Sequence, residues 1–183
     1  MSAVDFDFIE ELEGNSLKGY VPDAENSKSG VTIGCGFDLG QRSEANIKKH
    51  FPVSLAEKLI PYCGLKGEKA LKALSKEPLE VSEVQVRHIN QYAKYHALRK
   101  LQSEWLEATG SSFAILCPKK QTVIASVAFQ YGTLATRTPN FWRQITTGDW
   151  EGALMNLLNF GDRYSTRRHK EADLLASAIK ESK

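Results

Sequence analysis

The sequence predicts an α+β fold that is predominantly α-helical, and three observations support this prediction. Apolar residues recur every three to four positions between helix-capping residues over most of the chain. The glycine-punctuated stretch TIGCG, residues 32–36, is typical of a tight β-turn. The length of 183 residues suits one domain. We expect a single domain with a small, hairpin-bearing lobe at residues 14–60 and a helical lobe formed by residues 1–13 and 61–183.

The first predicted helix runs from about Ser2 to Glu13. Ser2 and Asp5 have the spacing of a capping box, and Gly14 is a favourable residue just past a helix end. A polar loop at residues 22–30 then leads into the glycine-rich stretch, which therefore predicts the hairpin of the small lobe.

Capping residues also mark the helices of the remaining chain. A long helix is predicted from Ser82 towards Gly110, because Gln85 completes a capping box. The segment 121–132 is apolar nearly all round, which indicates a helix buried inside a bundle. Other predicted helix starts are Ser43, Ser54, Thr138, Asp149 and Ser165 or Thr166, with ends at Gly148 and Gly161.

Composition excludes several classes of protein. A net charge of +2 is too small to indicate nucleic-acid binding, and no apolar run approaches the roughly 20 residues of a membrane span. The first residues are acidic and amphipathic, unlike a signal peptide. Three cysteines without a CxxC pair indicate synthesis in a reducing compartment. The four histidines lack metal-ligand spacing, so we expect no cofactor and disfavour a zinc amidase.

Thr32 and Asp38 are the first pair of candidate site residues. In a straight strand they would lie about 20 Å apart. A tight turn centred on Cys35 would instead make them a directly opposed cross-strand pair. The alternatives are that Thr32 is an ordinary strand residue, Asp38 a turn or capping aspartate, and Cys35 a small apolar turn residue.

Three glutamates, Glu10, Glu11 and Glu13, end the first predicted helix. Glu13 falls between the directions of Phe6 and Ile9 on the apolar stripe. Burial and the negative end of the helix dipole both disfavour a charged carboxyl group there, which suits a general acid. The alternative is a partly exposed glutamate bound to an arginine. Two carboxyl groups in different environments are the usual equipment of glycoside hydrolysis.

These residues stand in motifs that resemble the phage-type lysozymes, the muramidase endolysins of tailed bacteriophages. The motifs are Glu13-Gly14, LKGY at 17–20, TIGCG at 32–36, VAFQYG at 127–132 and RRHKEADLL at 167–175. TIGCGFDLGQ at 32–41 and PYCGLKGEKAL at 61–71 are closer to the lysozyme-like toxin and effector domain of pesticin and its relatives. The resemblance implies a lysozyme-like fold and a bacteriolytic hydrolase that degrades peptidoglycan in the cell wall.

The resemblance also implies roles for individual residues. It makes Glu13 the general acid, and it makes Thr32 and Asp38 the groups that activate water for cleavage of the β-1,4 bond between N-acetylmuramic acid and N-acetylglucosamine. Asp23 is the substitute for Asp38 as second carboxylate, since ordinary phage lysozymes place that carboxylate before the threonine. Inversion at the anomeric centre is expected.

By the same resemblance, Gln130 and Asn156 line the saccharide cleft, and Arg167 or Arg168 holds Glu13. Read from the sequence alone, the basic cluster at 163–170 is a solvated helix face. Two other functions stay open: a lysozyme-fold module that binds peptidoglycan without cleaving it, and a lytic transglycosylase.

The partner implied for the chain is the peptidoglycan glycan strand, and we expect a monomer that binds no nucleic acid. Peptidoglycan lies outside the cytoplasmic membrane, so we expect synthesis in the cytoplasm followed by release or injection. An endolysin would need a holin to reach its substrate. A secreted antimicrobial toxin or effector would need a secretion apparatus, and it would imply an immunity protein.

Overall fold

A computed structural model describes residues 3–22 and 28–182 of the chain. Most of these residues are helical, and a small three-stranded sheet lies near the N-terminal end, which confirms the predicted α+β, mostly α class. The helices are α1 (Phe6–Glu13), α2 (Glu44–His50), α3 (Val53–Leu59), α4 (Glu68–Lys76), α5 (Glu83–Thr109), α6 (Pro118–Tyr131), α7 (Leu134–Arg137), α8 (Pro139–Thr146), α9 (Trp150–Leu158) and α10 (Ser165–Glu181). The strands are β1 (Ser16–Tyr20), β2 (Thr32–Gly34) and β3 (Phe37–Asp38).

The sheet is antiparallel, with strand order β1-β2-β3. Strand β1 pairs Ser16 with Gly34 and Tyr20 with Thr32, with an irregularity in between. Its other edge binds the chain just before α5, because the Gly19 N–H donates to the Leu79 carbonyl at 2.8 Å. Strand β1 is thus paired along both of its edges, with β2 on one side and with the segment before α5 on the other.

The chain divides into two compact units. One is Glu13–Lys94, and the other consists of the chain before Glu13 together with the chain after Lys94. The first unit therefore contains residues 61–94 beside the hairpin, whereas the sequence assigned those residues to the helical lobe. Its core consists of apolar side chains from the hairpin, from α2 and α3, and from α5: Val31, Ile33, Phe37, Leu39, Ile47, Leu55, Leu59, Val86 and Ile89.

The other unit is a bundle whose central helix is α6. Every residue of this helix between Gln121 and Ala128 is buried, as the apolar sequence predicts. Helix α10 packs on both α6 and α9. The core of this unit combines aromatic and aliphatic side chains such as Trp105, Phe113 and Phe141. Because this part of α6 is buried on every side, its sequence is apolar nearly all round.

Several helix starts confirm the predicted caps. Ser82 and Gln85 form a reciprocal capping box at α5, with N–H to side-chain distances of 3.0 and 3.2 Å. The Ser43 hydroxyl accepts the Asn46 N–H at α2, and the Asp149 carboxylate accepts the Gly152 N–H at 2.9 Å at α9. Each of these bonds spans only three residues, so local sequence predicts it.

Other helix boundaries differ from the prediction. Helix α1 begins at Phe6 and is capped by Asp5, whose carboxylate accepts the Phe8 N–H at 3.0 Å; Ser2 lies outside the described residues. Helix α3 starts after Pro52, so Ser54 is inside it. Helix α9 ends at Leu158, three residues before Gly161.

Thr138 precedes α8 as predicted, but it is no side-chain cap. Its hydroxyl donates instead to the carbonyl of Leu134, the first residue of the preceding short helix α7, at 3.2 Å. Four residues of α7 were too few to leave a periodic pattern in the sequence.

Candidate active site

Glu13 is the last residue of α1, on the more buried side of that helix. Ile9, one turn earlier, is fully buried, whereas Glu10 and Glu11 are exposed. Glu13 itself is half-buried, and its Oε2 atom is shielded from solvent. Residues four apart share a helix face. The helical period therefore separates Glu13 from the other two glutamates, as the sequence predicted.

The hairpin brings Thr32 and Asp38 together as predicted. Strands β2 and β3 pair Thr32 with Asp38 and Ile33 with Phe37, so the turn is centred on Cys35. Directly opposed residues in an antiparallel pair have Cβ atoms about 5 Å apart. The hydroxyl-bearing and carboxylate-bearing residues therefore lie side by side at the base of a two-residue strand, within the same compact unit as Glu13.

Asp38 is anchored by backbone N–H groups. Its Oδ1 atom accepts the Gly30 N–H at 2.9 Å and the Gly40 N–H at 2.8 Å, and it caps the 3₁₀ turn Leu39–Gln41. The capping role weighed as an alternative is thus real. Because both bonds use a single oxygen of a half-buried carboxylate, that role and a chemical role are compatible.

Gly30 also binds the Thr32 side chain. Thr32 is only 4% exposed, and its hydroxyl donates to the Gly30 carbonyl at 3.3 Å. The hydroxyl proton is then directed away, so the Thr32 oxygen can accept a hydrogen bond from another group. One residue, Gly30, therefore orients both side chains of the pair, Asp38 through its N–H and Thr32 through its carbonyl, and the sequence analysis missed it.

Gly30 must be a glycine because the chain passes very close to it. A Cβ atom there would lie 2.4 Å from the Cα and N atoms of Gly40 and 2.5 Å from the Leu65 carbonyl oxygen. The close passage of Gly30 and Gly40 is what lets both N–H groups reach the same carboxylate oxygen. Two glycines flanking a hairpin at this spacing are the signal from which this contact could have been predicted.

Cys35, at the tip of the turn, is a neighbour of Glu13 that the sequence analysis described only as a small apolar residue. Its thiol interacts electrostatically with the Glu13 carboxylate. Burial, and next the negative charge of Glu13, raise the pKa of the Cys35 thiol to about 12, while the positive charge of Lys94 acts in the opposite direction. The thiol is therefore neutral at physiological pH and is not a nucleophile.

Lys94 is another residue that sequence reasoning missed. It lies on α5, one turn after Asn90, and both side chains are buried, with exposures of 4% and 2%. A lysine is rarely buried. The signal for it was the four-residue spacing from the apolar Val86 through Asn90 to Lys94, which places the three residues on one helix face.

Gln130 and Asn156, the predicted cleft residues, belong to the other unit. The Gln130 Oε1 atom accepts a hydrogen bond from the Arg168 guanidinium. Asn156 donates to Gln144 Oε1 at 2.8 Å. Both side chains are half-buried. Asp23, the substitute for Asp38, lies outside the described residues.

The prediction of a solvated basic face on the last helix is wrong for two of its residues. Arg167 and Arg168 are 8% and 1% exposed. Both guanidinium groups bind the fully buried Glu171 carboxylate, and Arg167 also donates to the Ser126 carbonyl at 2.8 Å. Helix α10 packs on α6 and α9, so this face is interior.

Asp162 extends this buried network. Its carboxylate accepts hydrogen bonds from the Tyr131 hydroxyl at 2.6 Å and from Arg168 Nε at 3.1 Å. Burial by itself would raise the pKa of Asp162, but bonds from Tyr131 and the Tyr164 N–H and the Arg168 charge together lower it below its ordinary 3.8. Burial and the bond to Asp162 raise the pKa of Tyr131 to about 12.

Within residues 3–22 and 28–182, no three His, Cys, Asp or Glu side chains form a group suited to a metal ion. In the same part of the chain, no helix has the length and apolarity needed to span a membrane.

Comparison with known families agrees with this geometry. A small three-stranded hairpin lobe, a glutamate at a helix end and a Thr–Asp pair define a lysozyme-like protein. Residues 3–151 match the family described as Pesticin, bacterial toxin homologue of phage lysozyme, C-terminal. The chain therefore belongs to the Pesticin family, and the homology of this family to phage lysozyme supports a lysozyme-like muramidase at the family level. Comparison with individual curated proteins found no match.

Proposed function

We propose that this chain is an active muramidase that hydrolyses the β-1,4 bond between N-acetylmuramic acid and N-acetylglucosamine in peptidoglycan. The observation that supports it most directly is the opposed Thr32–Asp38 pair, held in the same compact unit as the half-buried Glu13. Membership of the Pesticin family supports the substrate class.

In the proposed mechanism Glu13 is the general acid. A protonated carboxyl group donates to the glycosidic oxygen as the bond breaks, and positive charge develops on the sugar ring. The position of Glu13 supports this role, because the residue is half-buried at the end of α1 and its Oε2 atom is shielded from solvent. The thiol of Cys35, whose pKa is raised to about 12, stays neutral beside it and does not compete as a nucleophile.

Asp38 and Thr32 would act on the attacking water. The Thr32 oxygen can accept a hydrogen bond from the water, because its own proton is directed to the Gly30 carbonyl. The second oxygen of Asp38 can accept the other proton and take it up as the water attacks. A water activated in this way attacks the face opposite the leaving group, so the product would have inverted anomeric configuration.

The test is mass spectrometry of the soluble products released from purified peptidoglycan. Wild type is expected to release fragments with reducing-end muramic acid, and Glu13→Gln to release less than about a hundredth as much. Glu11→Gln is the matched control, since it is the same change at an exposed position of the same helix. It should retain wild-type activity, and all three proteins should have the same melting temperature.

Each other product would refute part of the proposal. Anhydro-muramic acid, lighter by one water, would make the chain a lytic transglycosylase. Freed peptides would make it an amidase. Binding to peptidoglycan without any product would make it a binding module. Full activity of Glu13→Gln would transfer the acid role to another carboxyl group, with Glu10 the first to test.

The same proposal includes a route to the substrate. Peptidoglycan lies outside the cytoplasmic membrane, so the protein would act there after release or injection from the cell that makes it. An immunity protein would be the partner expected of a toxin or effector, and a holin that of an endolysin. Protection of susceptible cells by a co-expressed neighbouring gene would favour the toxin.

A further inference from the structure

Asn90 is a buried polar side chain that the proposed mechanism does not use. It is 2% exposed, and it lies on α5 directly after Ile89, a fully buried core residue of the same unit. A buried amide destabilises the fold unless its donor and its acceptor are both satisfied. The partners of Asn90 therefore indicate what it does.

Both partners of Asn90 flank candidate catalytic residues. Its Oδ1 atom accepts the Cys35 N–H at 3.0 Å, and its Nδ2 group donates to Asn15 Oδ1 at 3.1 Å. Cys35 is the centre of the turn between Thr32 and Asp38. Asn15 lies two residues after Glu13. One side chain thus joins two segments that are far apart in sequence.

Close packing of the turn on α5 makes this contact specific. A Cβ atom at Gly34 would lie 2.4 Å from Asn90 Oδ1 and 3.1 Å from Val86 Cγ2, and Gly34 has a φ of +62°. Gly34 is also the residue that pairs with Ser16 of β1. The backbone at Gly34 can therefore approach Asn90 only because it carries no side chain.

We propose that Asn90 is a positioning residue for the reaction, which ties the chain leaving Glu13 to the turn that carries Thr32 and Asp38. This inference rests on the proposed function, because positioning has meaning only if these residues react. A displacement of about 1 Å between reacting groups can lower a rate by about a hundredfold. Loss of both bonds at Asn90 should therefore lower the rate of the chemical step more than it lowers substrate binding.

The experiment combines kinetics with amide hydrogen exchange. In Asn90→Ala, kcat per folded molecule is expected to fall at least tenfold while KM changes less than threefold. The Cys35 amide should exchange at least tenfold faster, whereas the Leu39 amide, bound to the Val31 carbonyl at 2.9 Å in the same hairpin, should exchange as in wild type. Tyr62→Phe is the control, because it also removes a hydrogen bond of a buried side chain in this unit.

Wild-type kcat in folded Asn90→Ala, or a loss no larger than that in Tyr62→Phe, would overturn the inference. Unchanged protection of the Cys35 amide would overturn it as well, whatever the activity. If wild type itself releases no product, the proposed function fails, and the inference fails with it. Faster exchange of the Cys35 amide in Asn90→Ala alone would then show that the tether exists as a structural feature without a catalytic role.

Asn15→Ala keeps the inference testable if Asn90→Ala does not fold. Asn15 is exposed, so its truncation removes the bond to Asn90 without opening a cavity. Asn15→Ala should lower kcat, as Asn90→Ala does, but only by about threefold. Where all variants fold, the losses of kcat in Asn15→Ala and Asn90→Ala should not add up in the double variant, because the two residues share one hydrogen bond. Additive effects would overturn the tether.

Discussion

At the scale of single residues, Asp38 shows how one carboxylate can be both a structural and a chemical group. Its Oδ1 atom is committed to the N–H groups of Gly30 and Gly40. Two backbone donors on one oxygen fix the orientation of the carboxylate plane, so the other oxygen has a defined direction as well. A side chain placed in this way needs no further support from flexible partners.

This geometry separates stability from activity in Asp38→Asn. The amide oxygen can still accept both N–H groups, so the free energy of unfolding should change by less than about 1 kcal/mol. Activity on peptidoglycan should fall by about a hundredfold or more, because an amide cannot take up the proton of water. Turnover and chemical denaturation of the same preparations would measure both effects.

Asp23→Asn is the comparison for that prediction. If Asp38 is the second carboxylate, Asp23→Asn should cost far less activity than Asp38→Asn. The reverse order would mean that the chain follows the ordinary phage lysozymes, with the second carboxylate before the threonine, and that Asp38 only caps the turn.

At the scale of elements, the hairpin depends on backbone contacts more than on side chains. Strand β3 has only two residues, and its position is set by the close passage of Gly30 and Gly40, which leaves no room for a Cβ atom at Gly30, and by the Leu39 N–H bond to the Val31 carbonyl. The apolar residues Val31, Ile33 and Phe37 then anchor one face in the core of the unit. The opposite face is left to Thr32 and Asp38.

Gly30→Ala should therefore disturb the whole hairpin. The new methyl group would meet backbone atoms of Gly40 and Leu65 that cannot rotate away, so the free energy of unfolding should fall by about 1–3 kcal/mol, with activity lost in parallel. Gly36→Ala is the matched comparison at the turn tip, where no atom lies within 4 Å and only the φ of +101° opposes alanine. Urea unfolding of both variants measures the difference; an equal or smaller loss in Gly30→Ala would contradict the role given to this contact.

At the scale of the whole molecule, a buried ionic network lies in the unit that contains α6, α9 and α10. Arg168 binds Asp162, Glu171 and Gln130, and Arg167 binds Glu171 and Ser126. Removing one member of such a network leaves the others buried without a full set of partners. Global unfolding should therefore respond to pH through these groups.

Asp162→Asn tests this dependence. Because the pKa of Asp162 is lowered in the folded protein, its charged form adds stability that is fully present above the ordinary value of 3.8 and is lost as pH falls through the folded value. At pH 7 the variant should lose about 1–3 kcal/mol of unfolding free energy. The difference from wild type should shrink below about pH 4.

Asp173→Asn, an exposed aspartate on α10, is the control for that measurement. It should change stability by less than about 0.5 kcal/mol at every pH. Unfolding followed by circular dichroism between pH 3 and 7 would show both profiles. A constant difference between Asp162→Asn and wild type across this range would contradict the ionised state assigned to Asp162.

Features that depend on neighbouring residues were predictable from the sequence. The capping box of α5, the apolar helix α6, the burial of Glu13 over Glu10 and the opposed Thr32–Asp38 pair all follow from helical or strand periods and from bonds between residues a few positions apart. The start of α1 was misplaced because Asp5 makes the capping bond, three residues after the predicted start. Such boundaries differ by one side chain, so sequence patterns resolve them poorly.

What the sequence by itself determined is the class of fold, the hairpin register and the set of candidate catalytic groups, because each of these is encoded in local periodicity and turn chemistry. Only the tertiary structure decided that Asn90 joins Cys35 to Asn15, that Lys94, Arg167 and Arg168 are buried, and that Gly30 orients both Thr32 and Asp38. Most of these contacts join residues distant in the chain. Burial of a polar or charged side chain depends on partners that come together only when the chain folds, so the residue type alone predicts the opposite.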